Sequence, residues 1–64
     1  MNLIDGLNIE LKRAKELLEV YESIPTGGFG AIMIKQTIKD AESSMQLGDT
    51  VGMLAAYQRL QNLE

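Results

Sequence analysis

The chain has 64 residues, 45% hydrophobic and 23% charged, with six Lys+Arg against nine Asp+Glu and a formal net charge of −3. It contains no Cys and no His, which excludes disulfides, thiolate metal sites, zinc fingers, Ser-His-Asp triads and Cys-His nucleophile pairs. The length allows one small domain over residues 1–64, whose lone core supplies about 3–5 kcal/mol unless something else staples it.

Hydrophobicity and charge are those of a chain that folds rather than one that stays disordered. The longest apolar run, Phe29 to Ile34 with Gly30 included, is far short of the roughly 20 residues a membrane helix needs. The start Met-Asn-Leu-Ile-Asp has no basic region followed by an apolar stretch, so no secretory leader is expected and the expected compartment is the cytoplasm. An acidic balance also argues against general attraction to nucleic acid or to an anionic membrane.

Ile4, Leu7, Leu11, Ala14, Leu18 and Tyr21 step alternately by three and four, the a/d stripe of three heptads. Leu3, Leu17 and Ile24 widen the stripe, while Glu10, Lys12, Arg13, Glu16, Glu19 and Glu22 take other positions. Asn2 is a candidate N-cap, and Asp5 suits the positive end of the helix dipole. Pro25 drives Ile24 out of helical geometry, with Thr26-Gly27-Gly28 behind it. The spacing predicts a long first helix over about 3–23, roughly 30 Å in length.

The second helix is predicted over 29–47, from Ala31, Ile34, Ile38, Ala41 and Met45, with Ile32 and Met33 as an additional apolar strip. Its first half should pack on two neighbours and its second half on one. Gly48 can take the left-handed conformation after a helix, and Asp49 can cap the next. So short a connection implies an antiparallel helical hairpin. The third helix, predicted over 50–63, carries Val51, Met53, Leu54, Ala55, Ala56, Tyr57, Leu60 and Leu63, more than half of its girth. Gly52 costs about 1 kcal/mol of helix propensity. With Ala55 and Ala56 it makes a small-residue patch suited to close packing on the second helix.

No chemical motif is complete. Thr26-Gly27-Gly28-Phe29-Gly30 leads into a helix, where free amides can hold an anion. It lacks a following Gly-Lys-Ser/Thr, a dinucleotide-fingerprint spacing and a preceding strand. The glycines are better read as turning the chain and letting the second helix start close against the first. Lys12, Arg13 and Lys15 are ringed by Glu10, Glu16 and Glu19 at spacings that allow ion pairs such as Lys12 with Glu16 and Lys15 with Glu19. That reads as a solvated, self-compensated face. A helix-turn-helix over 37–60 would offer Arg59 as its only recognition-helix cation. Asp40 and Glu42 point in different directions, Asp49 is used as a cap, and no calcium-loop spacing occurs. Met33, Met45 and Met53 read as core fillers, and Tyr21 and Tyr57 as buried rings with their hydroxyls at an edge.

Ile24-Pro25-Thr26-Gly27-Gly28-Phe29-Gly30-Ala31, then Gly48-Asp49-Thr50-Val51 and Met53-Leu54-x-Ala56-Tyr57-x-x-Leu60, resembles short uncharacterised proteins encoded by phages and prophages of enteric bacteria. The resemblance covers about residues 20–64 and rests on turns and core positions, so it carries over no functional residue. It implies a bacterial cytoplasmic setting and a role in host interaction or phage regulation.

The sequence therefore predicts an all-α chain of three helices with more apolar face than one copy can hide. A homodimer or higher symmetric assembly is expected, meeting through Ile4, Leu7, Leu11, Ala14, Leu18 and Tyr21. The expected function is that of a small non-enzymatic interaction or regulatory protein that docks on itself and on a host or phage protein. The alternative is a nucleic-acid accessory factor. No cofactor, metal or membrane partner is expected.

Overall fold

The computed structural model describes residues 2–63 as three helices, α1 (Leu3–Ser23), α2 (Gly28–Leu47) and α3 (Thr50–Gln61), with no strand among the described residues. Helix α2 starts one residue before the sequence boundary and α3 stops two before it. The last turn of α3 is loose: the Asn62 amide is shared between the Gln58 and Arg59 carbonyls, and the Leu63 amide reaches the Leu60 carbonyl at 3.2 Å.

The helix ends follow from side-chain chemistry. The Asn2 side-chain oxygen accepts from the Asp5 amide at 2.9 Å, and the Asp49 carboxylate accepts from the Gly52 amide at 3.0 Å. Ile24, ahead of Pro25, is extended at φ −95 and ψ 124 and closes α1. Gly27 is needed because its backbone lies against the end of α1: a Cβ there would sit 2.3 Å from the Tyr21 carbonyl oxygen. Gly48 closes α2 at φ 68, in the left-handed region.

The core takes Leu7, Leu11 and Ala14 from α1, Ile34, Ile38 and Ala41 from α2, and Met53, Ala56 and Leu60 from α3. Leu3, Leu17, Leu18, Tyr21, Met45, Tyr57 and Leu63 pack around it. Each helix touches both others. Two glycines bring rings onto helix backbones. A Cβ at Gly30 would lie 2.5 Å from the Tyr21 ring, and one at Gly6 would lie 3.2 Å from the Tyr57 ring. Thr37 is the buried polar residue among those described, and its hydroxyl donates to the Met33 carbonyl at 3.0 Å.

This core is thin. Counting Ala31, which is buried at its edge, four of the ten buried apolar residues described are alanines, Ala14, Ala31, Ala41 and Ala56, and the chain still exposes 4404 Å². Against an extended reference of about 10,000 Å² for this mass, a little under about 60% of the surface is buried. The molecule is elongated, 36 × 19 × 16 Å, because α1 and α2 are each about 30 Å long.

Candidate interaction surface

The stripe expected to meet a second copy lies largely inside the single chain. Leu7 and Ala14 are fully buried and Leu11 is 5% exposed, all within the core shared by the three helices. Leu18 and Tyr21 are half-buried beside that core, and Ile4, at 41%, is the exposed member. Using Leu7 or Leu11 to bind another copy would require this bundle to open. In the single chain Ile4, Leu18 and Tyr21 are the members of the stripe that keep surface.

Four basic residues hold an acid, three of them on another helix. Arg13 pairs with Glu10 at 3.0 Å, and its guanidinium also donates to the Leu60 carbonyl and, at 3.1 Å, to the Leu63 carbonyl. It thus ties α1 to the frayed end of α3, where backbone carbonyls have room for a further donor. Lys15 pairs across to Glu42 at 3.2 Å, in place of the expected local pair with Glu19. Lys35 pairs with Glu22 at 3.3 Å and Arg59 with Asp40 at 3.1 Å.

Several apolar side chains lie outside. Phe29 is 76% exposed, Ile32 65% and Met33 54%, one to four residues apart on the first turns of α2. The chain's own helices do not cover this strip: α2 turns Ala31, Ile34, Thr37, Ile38 and Ala41 inward toward α1 and α3. Beside it, Ile24, Pro25, Gly28, Ala31 and Ile32 line a hollow of about 370 Å³ whose rim carries Tyr21 and the Glu22–Lys35 pair. A second exposed group, Leu47, Val51 and Leu54, lies around the connection from α2 to α3. Between α1 and α2 runs an open groove of about 620 Å³. Leu11 and Met45 form its apolar part, and Lys12, Lys15, Glu16, Glu19 and Glu42 give it charges of both signs.

Among the described residues no three His, Cys, Asp or Glu side chains converge as a metal site would require. No helix is long and apolar enough to cross a membrane. What the surface offers is apolar area flanked by neutralised ion pairs, which suits protein contact. No protein-family model, curated protein or solved structure matches the chain.

Proposed function

We propose that this chain is a small non-enzymatic helical interaction or regulatory protein, phage-related, that self-associates and acts by docking on a host or phage protein. The observation that carries the reading is the imbalance between a core with four alanines and an outside that keeps Phe29, Ile32, Met33, Leu47, Val51 and Leu54 more than half exposed. Surface of that kind marks a contact site, and association is a staple open to a chain with no Cys and no His.

Within this reading α2 and α3 form an antiparallel hairpin. Its support is the register: Ser44 lies beside Gly52, Asp40 pairs with Arg59, and Met33 shares a hollow with Leu63. Positions fall along α2 as they rise along α3. The nucleic-acid alternative is disfavoured because Arg13, Lys15, Lys35 and Arg59 each hold an acid within 3.3 Å.

Sedimentation equilibrium at micromolar concentration tests the reading. The expected result is a species of at least twice the 7.1 kDa chain mass. A monomer throughout the accessible range would refute self-association.

A further inference from the structure

We propose that the α2 face formed by Phe29, Ile32 and Met33, together with the adjoining Ile24–Pro25 hollow, is a self-complementary surface on which a second copy of this chain docks by a two-fold contact. This rests on the self-association read above and assigns it to a face.

The first support is shape. Phe29 projects into solvent at 76% exposure, next to a hollow of about 370 Å³. The hollow is open to solvent, and Ile24, Pro25, Ala31 and Ile32 give it an apolar floor beside the Glu22–Lys35 rim. Projection and hollow lie on either side of Ile32. A two-fold axis passing beside Ile32 sets the Phe29 of each copy over the hollow of the other, and one operation satisfies both.

The second support is area. Phe29, Ile32, Met33 and Ile24, at 76%, 65%, 54% and 44% exposure, offer about 400–500 Å² of apolar surface per copy. With their polar rim, two such faces remove roughly 1,000 Å² from water in total, the size of a weak, reversible pair and above that of most lattice contacts.

The third support is charge. The chain carries −3, so two copies repel at long range. Contact through this face adds no close like charges to that repulsion: Ile24, Pro25, Thr26, Phe29, Ile32, Met33 and Gln36 are uncharged, and Glu22 at the rim is paired with Lys35 at 3.3 Å. Like copies meet there without placing unpaired acids opposite each other. The Leu47, Val51 and Leu54 group lies on a different part of the molecule. Docking that group into the hollow of the next copy would be head-to-tail and would build open chains rather than a closed pair.

The test uses the full chain, which has no native Cys. Ile32→Cys places one thiol beside the axis, and Val20→Cys, on the exposed outer side of α1, serves as the control. With oxidised glutathione as oxidant, Ile32→Cys should form a disulfide-linked pair at least tenfold faster than Val20→Cys. Phe29→Ser should sediment as a helical monomer where the wild type is dimeric. If Phe29→Ser fails to fold, the cysteine comparison decides. A wild-type dimer with equal cross-linking of the two cysteine variants, or with Phe29→Ser still dimeric, overturns this face while leaving self-association in place. A monomeric wild type overturns both, and mass that grows without limit with concentration overturns the closed two-fold pair.

Discussion

Arg13 shows how one side chain can hold a small bundle together. Its planar fork bridges the Leu60 and Leu63 carbonyls, 47 and 50 residues away, while Glu10 holds the guanidinium from behind. Leu60 lies in the last turn of α3 and Leu63 just beyond it, so the contact fastens the loose end of that helix to α1. Arg13→Ala should lower stability by about 1–2 kcal/mol, read as a melting point lower by roughly 5–15 °C. Arg13→Lys should recover part of it, because a lysine keeps the charge but not the fork. An unchanged melting point in Arg13→Ala would remove this role. Gly30 acts by what it lacks: a methyl there would meet the Tyr21 ring at 2.5 Å. Gly30→Ala gains about 1 kcal/mol of helix propensity, and overpacking costs about 1–3 kcal/mol. The clash should win, and urea unfolding should show a lower midpoint; a raised midpoint would mean that the ring moves aside freely.

At the scale of elements, the ends of the helices were legible because each is set by chemistry within a few residues. Asn2, Pro25, Gly48 and Asp49 each act on neighbours no more than four positions away. Asp49→Ala should cost about 1 kcal/mol and speed amide exchange in the first turn of α3; unchanged protection of Gly52 would contradict it. The partner of each apolar face was not legible. A stripe stepping three and four reads the same whether it faces helices of its own chain or of another. The α1 stripe therefore suggested a dimer seam, although Leu7, Leu11 and Ala14 are spent inside the bundle. Ile32 and Met33 misled in the opposite direction, because periodicity reports that a side chain is apolar and not that a neighbour exists to cover it. Arg13 was hidden for a third reason, its acceptors being main-chain carbonyls at the far end of the sequence.

At the scale of the whole molecule, three helices touch pairwise around a core that is one-third or more alanine, and the large side chains left over sit outside. A chain of this size gains little from its own core. A contact that hides Phe29, Ile32 and Met33 twice over adds apolar burial of the kind the bundle lacks. Stability and association should then be linked by mass action, since a species that forms only from folded copies draws the folding equilibrium toward itself. The direct measurement is the melting midpoint followed by circular dichroism across a hundredfold range of protein concentration. A self-associating chain should melt higher as it is concentrated, by roughly 10 °C over that range; a midpoint that does not move with concentration would contradict the account.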